Sequence, residues 1–168
     1  MVHGEGIKRI PDDVLKRGKR RKNKEDENMM TQVSVNWASV LVATIASMVV
    51  GMTWYSKSVF GGMWMQLSGR TEKDMQKAKQ KGMGKTMVAA FIAALVTSYV
   101  LAYFLHMINA MTWVDGIQAG FWLWLGFVAP LMLGMVLWEG KPFKLYVLNA
   151  AHHLVSLMVM GAILARWM

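Results

Sequence analysis

No cysteine occurs anywhere in the 168 residues, which excludes disulfides, iron–sulfur clusters and thiolate chemistry. Charge is missing locally: Met29 to Ser56, Thr86 to Val114, Gly116 to Trp138 and Leu145 to Ala165 contain no Asp, Glu, Lys or Arg. Each window holds the roughly 20 mainly apolar residues that a helix needs to cross a ~30 Å hydrocarbon layer. A polar face recurring every third or fourth position, the mark of a soluble amphipathic helix, is absent as well. The expected fold is therefore an all-α membrane protein, a four-transmembrane-helix bundle. In such a chain the formal net charge of +9 reports loop sidedness before it reports nucleic-acid binding, and no nucleic-acid partner is expected.

The basic residues are unevenly placed. Residues 1–29 carry the run Lys16-Arg17-Gly18-Lys19-Arg20-Arg21-Lys22-Asn23-Lys24, followed by Glu25-Asp26-Glu27. Composition predicts a disordered tail ahead of a transmembrane domain over 30–168. The run would suit anionic headgroups or RNA. A further expectation is that translation begins at Met29, because Lys24-Glu25-Asp26 can be encoded by a purine-rich ribosome-binding sequence. Four spans put the tail, the turn near Asn109 and the C-terminus on one side. Counting the tail, that side holds ten Lys/Arg against nine on the other; starting at Met29 leaves one against nine. The latter count predicts both termini outside and two cytoplasmic loops.

The first span, Val33 to Trp54, has Ala43, Ser47 and Gly51 four apart, a stripe that admits a neighbouring helix. Trp37 and Trp54-Tyr55 sit at its ends, where aromatic rings favour the headgroup layer. In the first cytoplasmic loop, Phe60, Met63, Trp64 and Leu67 predict a short interfacial helix ended by Ser68-Gly69. Thr71 and Asp74 then open a polar helix that ends at Gly82. In the second span Ala90, Ala94, Ser98 and Ala102 form another small-residue stripe. In the third, Gly126, Pro130 and Gly134 share a face, and Pro130 predicts a kink. Glu139, Gly140, Lys141 and Pro142 form a tight hairpin turn, with Gly140 at positive φ, Pro142 entering the last helix, and Glu139 paired to Lys141 or Lys144.

The last span carries the polar cluster Asn149, His152, His153 and Ser156. Polar groups in hydrocarbon usually face the bundle interior. An interhelical hydrogen-bond network is one reading, with Ser47, Ser98 and Tyr99 as partners. A proton or solute path is another, since histidine titrates near neutral pH. A haem bridged by two histidines of one subunit is opposed by depth. His106 stands ~30 Å along its helix from Lys85, and His152 only ~12 Å from Lys144. The 17 methionines raise copper(I), with Met48/Met52, Met83/Met87 and Met107/Met111 at helical spacing, but each pair lacks a third soft ligand and methionine commonly fills packing gaps. No catalytic, cofactor-binding or metal-binding residue is assigned.

Several motifs together resemble domain-of-unknown-function family 1761, a group of bacterial and archaeal membrane proteins. They are Asn36-Trp37, Trp54-Tyr55-Ser56, Phe60-Gly61, Trp64-Met65 and Leu67-Ser68-Gly69, then Gly126-Phe127-Val128-Ala129-Pro130, Glu139-Gly140-Lys141-Pro142, Asn149-Ala150, His153-Leu154-Val155 and Met160-Gly161-Ala162-Ile163-Leu164. The resemblance covers about Val35 to Trp167 and implies the cell membrane of a prokaryote; it implies no activity. The expected function is that of a structural or interaction module of that membrane, self-associating, with the lipid bilayer as partner. The alternatives are a small transporter or channel-like subunit with a path along Asn149 and His153, and an intramembrane redox or enzyme subunit using His153.

Overall fold

A computed structural model describes residues 11–31, 35–80 and 82–167. The chain divides into two units, Met1–Ser34 and Val35–Met168. In the first, the segment expected to be a disordered tail contains a helix, α1 (Asp12–Thr31). Its described side chains are exposed. Lys, Arg and Glu are good helix formers despite their polarity, and Pro11 precedes the first turn and accepts from the amides of Val14 and Leu15. The expected start at Met29 concerns side chains outside the described ones.

The second unit is all-helical among its described residues. Its elements are α2 (Trp37–Trp54), α3 (Gly61–Ser68), α4 (Glu72–Gln80), α5 (Met83–Met107), α6 (Trp113–Leu123), a π-helical turn (Trp124–Val128), α7 (Ala129–Met132), α8 (Gly134–Leu137) and α9 (Phe143–Arg166). Four stretches, Trp37–Trp54, Met83–Met107, Trp113–Leu137 and Phe143–Arg166, are long and apolar enough to cross a membrane. Large apolar side chains such as Ile45, Val88, Ile92, Val96, Trp122, Phe127 and Leu131 stand exposed on the bundle's outside, as a lipid-facing surface requires.

Helix α9 is the hub. It is the most buried of the four long helices and packs most extensively on α6, then on α2 and α5, while α2 also packs on α5. The interior holds Val40, Ala43, Leu101, Leu105, Met160 and Leu164 at 2% exposure or less. Asn36 caps α2 by accepting from the amides of Ala38 and Ser39, and its Nδ2 donates to the Trp167 carbonyl at 3.4 Å, tying the start of α2 to the end of α9. The Ser98 hydroxyl donates to the Val40 carbonyl at 3.0 Å, a cross-helix bond that joins α5 to α2.

The loop elements follow the local signals. Gly69 ends α3 at φ +69°. Thr71 and Asp74 exchange a reciprocal cap, Thr71 N to Asp74 Oδ2 at 2.9 Å and Asp74 N to Thr71 Oγ1 at 3.3 Å. Gly82 stands at φ +97° between α4 and α5, and Gly140 takes φ +64° in the hairpin, where only glycine is unstrained. The expected Glu139 ion pair does not form: the one salt bridge among the described residues joins Lys57 to Glu72. Glu139, Lys141 and Lys144 are all exposed, and hydration offsets what such a pair would contribute.

The third span departs furthest from expectation. Pro130 has no amide hydrogen, so the ladder widens ahead of it and the Ala129 amide bonds back to the Trp124 carbonyl, five residues away. The Ala129 carbonyl also accepts from the Tyr146 hydroxyl at 3.2 Å. The face shared by Gly126, Pro130 and Gly134 does not pack closely. Gly126 and Pro130 are exposed, because the extra residue of a π turn rotates the remainder of the span about the helix axis. Close packing occurs about two and three turns earlier, at Gly120 and Gly116. A β-carbon on Gly116 would strike the Gly161 carbonyl, and one on Gly120 would lie 2.6 Å from the Leu157 carbonyl oxygen. On α5 the small-residue stripe is buried only at its far end: Ser98 and Ala102 are buried, Ala94 is half-buried and Ala90 is exposed.

Candidate functional site

Successive residues on a helix point about 100° apart, so the four polar residues of α9 separate into two groups. His152 turns toward α2. The missing side chain of Gly51 makes room for its ring: a β-carbon there would lie 3.2 Å from His152 Nε2. Ser156 Oγ stands 3.4 Å from the same nitrogen. The rings of Tyr55 and Trp54 close round it, with centroids 5.0 and 6.1 Å away. His152 Nδ1 and Trp54 Nε1 are both buried without a hydrogen-bond partner among the described residues.

Asn149 and His153 turn the other way, into a cavity of about 800 Å³ at the α3–α4 end of the bundle. The Tyr55 hydroxyl donates to Asn149 Oδ1 at 3.0 Å. With its oxygen engaged, the Asn149 amide presents its NH₂ group, a double donor. His153 is exposed. The apolar wall comes from four elements that each contribute one methionine: Met65 from α3, Met75 from α4, Met83 from α5 and Met132 from α7, with Trp64 beside them. Gln76 and Thr86 add polar groups.

At the rim, Lys57 Nζ meets Glu72 Oε1 at 2.6 Å, the two side chains being 79% and 67% exposed. This cation holds the Glu72 carboxyl below its ordinary range, first by the hydrogen bond and then by charge. The Thr71 hydroxyl and amide hold Asp74 low in the same way. Arg70 lies over the Trp64 ring, 5.4 Å from its centroid, a cation–π contact that fixes the far edge of the wall.

The loop that forms the near wall depends on one glycine. After α2 the chain turns back, the Phe60 amide bonding to the Trp54 carbonyl and the Gly61 amide to the Ser56 carbonyl at 2.8 Å. A β-carbon on Gly61 would collide with the carbonyl of Tyr55 and lie 2.7 Å from that of Ser56. Gly61 therefore sets where α3 starts, and with it where Trp64 and Met65 meet the cavity.

Of the partners expected for the polar cluster, none is used. Ser98 bonds to Val40, Tyr99 stacks on Trp37 with centroids 5.3 Å apart, and Ser47 makes no cross-helix hydrogen bond among the described residues. The partner is Tyr55, which was expected, with Trp54, to sit among headgroups; both instead turn inward. The signal was present in the polar hydroxyl of Tyr55, placed at the same end of the bundle as Asn149. The hairpin residues Glu139, Gly140, Lys141 and Pro142 are exposed and lie off the cavity, while Pro130 sits in the first turn of the short helix that brings Met132 to it. The three methionine pairs do not converge; only Met83 of those six reaches the site.

The family model described as a protein of unknown function, DUF1761, matches residues 38–165. No curated protein and no solved structure matches the chain.

Proposed function

This chain belongs to the DUF1761 family of proteins of unknown function, and on that footing we propose that it is a multi-pass membrane protein that binds a small amphipathic molecule. The supporting observation is that Asn149 and His153 line a cavity beside four methionines instead of being sealed between helices. Its volume falls in the range of small-ligand pockets, and methionine walls adapt to apolar ligands of differing shape. A continuous channel is the weaker reading. Further along α2, α5 and α9 the interior is closed by Val40, Ala43, Leu101, Leu105, Met160 and Leu164, all at 2% exposure or less. The cavity is one-ended, which suits binding and handing over more than conduction. A purely structural module would have no use for an open polar recess.

On this reading the protein sits in the cell membrane of a prokaryote, with both termini outside and the cavity opening to the cytoplasm. The orientation rests on a start at Met29, which leaves one Lys/Arg on the side of the termini against nine on the cavity side. Because the chain has no cysteine, single cysteines at Ser58 and Asn109 can be labelled in intact cells. Labelling at Asn109 and protection at Ser58 is the expected result, and the reverse would overturn the orientation. For function, native mass spectrometry of the full-length protein released from membranes should show an amphiphile retained at one per chain. Met132→Trp, which fills the cavity, should abolish retention. Equal retention by both proteins would remove the cavity from the reading and leave an interaction module.

A further inference from the structure

We infer that the cavity selects a single-chain amphiphile with an anionic, acceptor-only headgroup, a carboxylate or a phosphate; the inference rests on the binding role proposed above. The polar groups at the site are biased toward donation. Tyr55 donates to Asn149 Oδ1, and no described residue accepts from the Asn149 NH₂ group, so its two N–H bonds are left for a ligand. Glu72 takes one of the three N–H bonds of Lys57, leaving two for a ligand. The Glu72 carboxylate at the rim is thus already engaged by a cation and is not positioned to attract a cationic headgroup.

The surrounding charge points the same way. Between Lys57 and Lys85 the chain carries seven Lys/Arg against two acidic residues, Glu72 and Asp74, a balance of +5. A loop of net positive charge concentrates anions from a bilayer surface, and Lys57 lines the recess itself. The same recess is lined by four methionines, so a headgroup held by Asn149 and Lys57 leaves the tail to the methionines. The volume of about 800 Å³ is that of a drug-sized ligand, which favours one hydrocarbon chain over two.

The test uses the full-length protein in phosphatidylcholine nanodiscs, with empty nanodiscs subtracted, and radiolabelled oleate as probe. Saturable binding at one oleate per chain is expected, displaced by unlabelled oleate or by lysophosphatidic acid and not by monoolein or oleylamine. Whichever of the two anions displaces at the lower concentration identifies carboxylate or phosphate as the preferred headgroup. Loss of a charge-assisted bond should weaken oleate about 10-fold in Lys57→Gln and a similar amount in Asn149→Leu. Lys57 is exposed, so its variant separates binding from folding. Displacement by monoolein or oleylamine as effective as by oleate would overturn the anionic assignment while leaving a binding cavity. Lack of saturable binding by all four amphiphiles would overturn both.

Discussion

The backbones of Gly116 and Gly161 touch, so that a β-carbon on either residue would run into the carbonyl of the other. This contact lets α6 lie directly on α9. In a membrane, where lipid tails are as apolar as leucine, such approach gains dispersion contacts that larger side chains would forfeit.

Gly116→Val and Gly161→Val should each push the two helices apart, lowering stability by about 1–3 kcal/mol, the usual cost of overpacking. Gly126→Ala should be tolerated, because a β-carbon there meets nothing within 4 Å. Unfolding in mixed micelles followed by tryptophan fluorescence checks both; equal behaviour of the three variants would contradict the assignment of close contact to Gly116 and Gly161.

Tyr55→Phe removes the donor to Asn149 and nothing else of size. A loss of about 0.6–2 kcal/mol is expected, the range for interhelical hydrogen bonds in bilayers. In Asn149→Leu the same substitution should cost little, so a double-mutant cycle should return a coupling of that order. An additive cycle would mean that the bond contributes nothing.

The adjacent histidines should behave differently. His152→Ala empties a niche formed by Gly51, Trp54 and Tyr55 and should cost about 1–3 kcal/mol. His153→Ala, at an exposed position, should change stability by no more than about 0.5 kcal/mol. The same micelle unfolding assay discriminates them, and a larger effect at His153 would reverse the placement of the two rings.

Acid should loosen the start of α4. The Glu72 carboxyl titrates below its ordinary range because Lys57 favours its ionised form, so this contact is intact above the unfolded-state pKa of glutamate and is lost as pH falls through the lower folded value. Asp74, held low by Thr71, releases the α4 cap by the same sign. Protection factors of the first-turn amides of α4 should fall in acid while those of α9 persist. Lys57→Gln should remove the Glu72 part of the dependence and leave the Asp74 part.

How much of this could be read in advance varies with the kind of interaction. Four spans, the turn at Gly140, the cap of Thr71 with Asp74 and the stop at Gly69 depend on neighbours within a few residues, and transfer to lipid depends on composition alone. These were legible because each residue type has one cheap conformation or one cheap solvent at its position. The Gly116/Gly120 pair, spaced like the small-residue stripes of the other helices, was equally readable but was overshadowed by the glycines around Pro130.

Which face of each span looks inward was decided only in three dimensions. Four uncharged helices of low amphipathicity carry almost no record of their rotation about their own axes, and the π turn before Pro130 resets that rotation halfway along the third. Hence the tyrosine expected among headgroups reaches Asn149 across 94 positions of chain, and methionines from four separate elements meet in one recess. Composition determined that this chain has four helices long and apolar enough to cross a bilayer; the rotation of α9 against α2 and α6 determined that two of its polar residues are left facing an open space.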